Sequence, residues 1–139
     1  MSMANGRSSG EPDASDLALL VLRLFTGLAL ALAHGTGKVP PSERFVSGVE
    51  ALGFPAPLLF AWAAGLAEFA GGFLLAAGLF TRPAALMILI TMLVAGFRRH
   101  AADPFADKEK AFLYAAIALV FLIAGGGRLA LDAWRSRRR

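Results

Sequence analysis

Residues 58–80, LLFAWAAGLAEFAGGFLLAAGLF, decide the fold: 23 consecutive residues carry one charge, Glu68. Crossing about 30 Å of hydrocarbon takes about 20 helical residues at about 1.5 Å each, so this stretch predicts a membrane-spanning helix. On a helix turning about 100° per residue, Ala61, Ala64, Gly65, Gly71 and Gly72 fall within about 60° of the Glu68 face. Ala63, Ala67 and Gly71 add a small-xxx-small series beside it, and such residues let helix backbones approach closely.

Upstream, residues 42–57 (SERFVSGVEALGFPAP) place Phe45, Val49 and Leu52 at i, i+4 and i+7, with Glu43, Arg44, Ser47 and Glu50 on the other side. That pattern predicts a short amphipathic helix lying at the membrane interface, with Ser42 as its N-cap and Gly53 as its stop. Further upstream, residues 17–33 form an apolar run holding only Arg23, which predicts a first span. Ala31-Leu32-Ala33 also fits a small-residue processing pattern, but the long acidic leader and three later apolar segments favour a retained helix.

Downstream of the central span, Thr81-Arg82-Pro83 predicts a tight reversal with Pro83 at the first helical position, where its missing N–H costs nothing. Residues 83–97 and 111–124 predict a third and a fourth span, each only about 22 Å long unless Arg82, Arg98, Lys110 and Arg128 extend them by snorkelling. The charged segment RRHAADPFADKEK between them reads as a loop. The predicted fold is therefore all-α, a four-transmembrane-helix bundle with a short interfacial amphipathic helix between spans one and two. The predicted layout is a flexible tail over 1–16, the helical domain over 17–132 and a basic C-terminal tail over 133–139.

Composition supports this class, since 57% of the 139 residues are hydrophobic and 17% are charged. A disordered chain is thereby excluded. The net charge of +4 is concentrated in Arg135, Arg137, Arg138 and Arg139, a short tail suited to anionic lipid headgroups and no case for nucleic acid. Four spans place both termini on one side, and the density of that tail beside the last span favours the cytoplasm. The chain has no Cys, which removes thiolate chemistry and disulfides, and its two His exclude a three-histidine metal site. No Walker sequence, G-x-G-x-x-G helix start, H-E-x-x-H or G-x-S-x-G occurs, so no covalent or soluble cofactor chemistry is encoded.

The intramembrane charges Arg23 and Glu68 must face protein, because a charge in hydrocarbon costs about 2.5–3.5 kcal/mol or more. One reading is a buried Arg23–Glu68 ion pair that fixes two helices in register. Another makes Glu68 the mid-membrane station of a proton or polar-ligand path to His34 and His100 near the far surface, since carboxyl and imidazole groups are the usual carriers. Arg23 and His34 lie eleven residues apart and so share one helical stripe, with Lys38 close by. Phe69, Phe73 and Tyr114 could complete a ring-binding pocket around Glu68, an environment suited to a quinone, although ordinary aromatic packing explains them equally well. Trp62 and Trp134 read as interface anchors on opposite sides.

These residues resemble the DoxX family of small four-helix membrane proteins over about residues 17–132. The likeness rests on Leu22-Arg23-Leu24, His34-Gly35-x-x-Lys38, Gly53-Phe54-Pro55-x-Pro57 and Ala67-Glu68-x-x-Gly71-Gly72. It continues with Gly78-Leu79-x-Thr81-Arg82, Met92-x-x-Ala95 and Gly125-Gly126-Gly127-Arg128-x-x-Leu131-Asp132. The loop around His100 is more charged than the family pattern. The resemblance implies a plasma-membrane bundle linked to oxidoreductases, some relatives being membrane subunits of thiosulfate:quinone oxidoreductases. It carries over Arg23, His34, Lys38, Glu68 and Arg82 as motif positions without assigning them a reaction.

The expected function is therefore an oxidoreductase-associated membrane subunit or anchor, near a quinone, with a redox-enzyme subunit carrying the electrons. Its candidate polar pocket comprises Arg23, His34, Lys38, Glu68, Phe69, Phe73 and Tyr114, and its candidate proton path Glu68, His34 and His100. The competing expectations are a small-solute or lipid carrier and a non-catalytic assembly factor. The bilayer is the constant partner, and a homo-oligomer is left open.

Overall fold

The computed structural model describes residues 12–138, and among them every regular element is helical. Helix α1 (Ala14–Ala29) starts from an Asp13 cap whose carboxylate accepts the Ser15 and Asp16 N–H groups while Asp16 returns a bond to the Asp13 N–H. This reciprocal arrangement satisfies donors that a helix start otherwise leaves open. The helix thus begins three residues before the expected apolar boundary. The tail boundary drawn at residue 16 moves to Asp13, and residues 1–11 lie outside the described residues.

Beyond Ala29 the rod widens into a π turn, Leu30–Gly35, and then tightens into a 3₁₀ turn, Thr36–Lys38. Helix α2 (Glu43–Ala51) has the expected start, the Ser42 hydroxyl accepting the Phe45 N–H at 3.3 Å, and Gly53 at φ +81° follows its end. Helix α3 (Pro57–Ala77) closes on Gly78 at φ +68°, a left-handed position suited to glycine. Helix α4 (Thr81–Val94) passes into a second π turn, Ala95–Arg99, and is followed by α5 (Phe105–Ala124) and α6 (Leu131–Ser136).

Several expected boundaries shift. Helix α4 begins at Thr81, so Pro83 is its third residue and not its first, though still among the N–H groups without an intrahelical partner. The charged segment before span four is loop only to Pro104, because α5 takes up Asp107 to Lys110 as its first turns. Helix α6 crosses the boundary drawn between domain and tail at residue 132.

Among the described residues, three rods are long and apolar enough to cross a membrane: Ala14–Lys38, Pro57–Ala77 and Thr81–Arg99. Helix α1 packs on α3, α3 on α4 and α4 on α5, and α2 lies against α3. Leu30, Leu75, Ile88 and Phe121 fill the centre with Ala85, Met92, Ala115 and Ala118. Phe25, Ile123 and Leu59 instead point outward, each more than half exposed. Large apolar side chains on the outer face are costly in water and neutral in lipid.

The α1–α3 seam is made by missing side chains. A Cβ on Gly72 would lie 2.7 Å from the Gly27 carbonyl oxygen, and one on Gly35 2.6 Å from the Phe69 backbone. At the far end of the seam a Cβ on Gly65 would lie 2.6 Å from the Lys38 carbonyl. The closest approach therefore uses Gly65 and Gly72, whereas Gly71 faces Ile88 of α4 at ordinary contact distance.

Candidate functional site

Polar residues gather at the two ends of this bundle and do different work there. At the end where α1 begins, Arg23 is only 2% exposed. Its guanidinium donates to the Ala76 carbonyl, one of those that the last turn of α3 leaves open, and to the Leu129 carbonyl at 2.8 Å. Asp16, 5% exposed, accepts the Arg128 N–H at 2.8 Å. Asp132 caps α4 from 51 residues away, accepting the Phe80 N–H at 2.9 Å and both the Thr81 N–H and hydroxyl at 2.8 Å. Burial by itself would raise the Asp132 carboxyl, but the bonds from Thr81 and Phe80, with the charge of Arg135, hold it below its ordinary value. This end is a clasp joining the C-terminal segment to α1, α3 and α4.

The opposite end is open. Between the end of α1, the middle of α3, the end of α4 and the start of α5 lies a cavity of about 370 Å³. Its apolar floor is Met92, Ala95 and Ala111, and its polar walls are His34, Lys38, Glu68, His100, Asp107, Lys110 and Tyr114. The Lys38 ammonium donates to both oxygens of the Glu68 carboxylate, at 2.6 and 2.7 Å. Glu68 is 3% exposed, so this bidentate contact neutralises a charge that could not stand alone at that depth. The Lys38 ammonium also sits 5.5 Å from the Phe45 ring centroid, which brings α2 over the pair.

His34 meets Tyr114 edge to face at 5.8 Å between ring centroids. His100 is joined through Nδ1 to Asp103 at 2.6 Å. Each of the two π turns runs directly into cavity-wall residues, the first carrying His34 and leading to Lys38, the second leading to His100. A π turn displaces the residues beyond it from their α-helical positions, and such turns recur at functional sites.

The expected residues are therefore divided. His34, Lys38, Glu68, His100 and Tyr114 converge on one cavity. Arg23 does not pair with Glu68: Lys38 takes that role, and Arg23 belongs to the clasp. The stripe expected to join Arg23 and His34 is broken by the intervening π turn. Phe69 and Phe73 do not line the cavity; they stack edge to face on each other at 5.3 Å, with the Phe69 backbone against Gly35. Asp107 and Lys110 were not expected there, and they enter because α5 starts within the charged segment. Trp62 and Trp134 stand exposed at opposite ends. Among the described residues no group of three or more His, Asp or Glu is placed to hold a metal ion.

An uncharacterized protein of Haemophilus influenzae is 37% identical over 122 residues, covering 82% of this chain and 87% of its own length. No solved structure matches. The DoxX family model matches residues 18–101, from the first turns of α1 to just beyond His100. With three helices long and apolar enough to cross a bilayer and that match over most of its length, the chain belongs to the DoxX family of membrane proteins.

Proposed function

We propose that this chain is a four-span plasma-membrane subunit or anchor of an oxidoreductase and that its open-end cavity receives a quinone headgroup. Helix α5 serves as the fourth span: its 20 residues extend about 30 Å, with Asp107 to Lys110 at the headgroup level. Helix α2 lies at the same level as an interfacial helix, with Val49 buried and Glu43, Arg44 and Glu50 outward. Both termini then share the cytoplasmic side.

The observation that carries the reading is the cavity itself. Its volume of about 370 Å³ suits one small ring, and its floor is apolar while its walls bear hydrogen-bonding groups. Lys110 and the Tyr114 hydroxyl are donors suited to ring carbonyl oxygens, so the residues fit such a headgroup. A bound quinone supplies coupled electron and proton transfer, which a chain without Cys or cofactor motifs cannot do with its own side chains. His34 and His100 hold and release protons at the cavity wall, and the Lys38–Glu68 pair holds the inner wall in place and extends that path inward. The electrons come from a partner subunit.

The test is mass spectrometry of proteins and lipids that co-purify with the tagged chain from its own host membranes in mild detergent. Stoichiometric quinone together with a redox subunit is expected, with the quinone lost from His34→Gln and Lys110→Met at unchanged protein level. Recovery of the bundle with phospholipid alone refutes the reading.

A further inference from the structure

The clasp end carries a second surface that the cavity does not explain. Helix α6 is held on the bundle by Asp132, whose carboxylate caps α4 and whose N–H donates to the Gly78 carbonyl at 2.9 Å. The basic residues that follow are thereby set at a fixed level. The Arg135 guanidinium lies 5.0 Å from the Phe80 ring centroid and that of Arg138 3.7 Å from the Trp134 ring. Arg82, at the start of α4, stands on the same end and donates to the Ile123 carbonyl at 3.1 Å.

Phe80, Leu131 and Trp134 are each about half exposed, so apolar anchors and guanidinium groups alternate over one surface. The acids nearby are already engaged: Asp132 accepts three bonds from α4, and Asp16 accepts the Arg128 N–H. Arg137 and Arg138 thus face outward without a carboxylate to neutralise them among the bonds and ion pairs of the described residues, and Arg135, whose charge acts on Asp132, stands exposed beside them. Guanidinium groups match phosphate oxygens in a fork, and aromatic rings with one wet edge settle at headgroup depth.

We propose that this surface, built from the start of α4 and from α6, is a binding site for the phosphates of anionic phospholipids, and that the chain gathers such lipids around its clasp end. The charge complementarity is local and one-signed, and the aromatic rings fix its depth. An acidic partner protein is the competing occupant.

Trp134 reports on this site directly. In a Trp62→Phe background it is the sole tryptophan, and the protein is reconstituted in phosphatidylcholine vesicles containing one fifth brominated phosphatidylglycerol or one fifth brominated phosphatidylcholine. Bromine quenches indole emission only on close contact. Enrichment predicts quenching on the order of twofold stronger by the brominated anionic lipid. The difference should disappear in 1 M salt and in the exposed-surface variant R135Q/R137Q/R138Q, which leaves the Asp132 cap intact. Equal quenching by the two lipids overturns the proposal, and assigns the surface to an acidic protein if the same variant loses a bound subunit.

Discussion

Adjacent glycines in α3 should respond oppositely to the same added methyl group. A Cβ on Gly72 meets the Gly27 oxygen at 2.7 Å, the Ala31 nitrogen at 2.9 Å and the Ala31 Cβ at 3.1 Å. Two of those atoms are backbone and cannot swing aside, so α1 and α3 must part by the better part of an ångström along their seam. A gap of that size forfeits about a quarter to a half of each dispersion contact it opens. Overpacking of this kind costs about 1–3 kcal/mol, more than the roughly 1 kcal/mol that alanine gains over glycine within a helix. A Cβ on Gly71 instead reaches Ile88 side-chain carbons at 3.6 and 3.8 Å, which is normal contact. Gly71→Ala should therefore be neutral or raise Tm slightly, while Gly72→Ala, at a net cost of up to about 2 kcal/mol, lowers it by up to about 8 °C. Thermal unfolding of the detergent-solubilised protein, with elution profile as a check on monodispersity, measures both. Equal Tm values for the two variants would refute the seam and the register drawn from it.

Other substitutions separate the two ends. Lys38→Met leaves the buried Glu68 carboxylate without its cation and should cost about 2–4 kcal/mol, whereas Lys38→Met with Glu68→Leu recovers most of it; a double variant as unstable as the sum of the singles speaks against the pair. Arg23→Lys cannot span the Ala76 and Leu129 carbonyls together and should lose about 1.5–3 kcal/mol, read as a lower Tm, while leaving quinone content unchanged. Because the folded Asp132 carboxyl is held below its ordinary value of 3.8, its contribution is complete above that pH and is lost as pH falls further. Asp132→Asn should thus lower Tm at neutral pH and flatten its decline below about pH 4, and an unchanged acid limb argues against the cap.

The helices were legible because apolar runs and their punctuation are local signals. Ser42 and Gly53 start and stop α2 where expected, through their own side chain and backbone, whereas Gly78 ends α3 inside the stretch expected to run to residue 80. The partner of Glu68 was not legible from depth alone, since both Arg23 and Lys38 have side chains long enough to reach it. Register decides, and register resides in the glycine seam. Matching Gly35 to Phe69 and Gly27 to Gly72 sets Lys38 beside Gly65, one turn from Glu68, and moves Arg23 to the last turn of α3, at Ala76. The small-residue series read from the sequence, Ala63, Ala67 and Gly71, is offset from that seam, and Gly71 serves α4 instead. The Asp132 cap was hidden for another reason: it joins residues about 50 positions apart, with no periodicity to announce it.

The buried and cavity-lining polar residues thus serve two unlike purposes, and hydrogen bonding separates them. At the clasp, Asp16, Thr81 and Asp132 spend their polar groups on backbone or on one another, and Arg23 retains only a buried Nε without a partner. Groups committed in this way hold geometry and have little capacity left for a ligand. At the cavity, His34 makes only an aromatic contact with Tyr114 among the bonds of the described residues, and Lys110 lies exposed at the wall without an ion pair there. Both helices leading into that wall widen into π turns, giving up regular hydrogen bonding, whereas at the clasp end α1 and α4 begin on carboxylate caps. Local irregularity is tolerated only where a surrounding scaffold holds it, and here the clasp and the glycine seam provide that scaffold. Of these two buried polar clusters, the one with hydrogen-bonding groups left unspent is therefore at the open end, and substitutions at Arg23 or Asp132 reach it only by loosening the bundle that holds the cavity walls together.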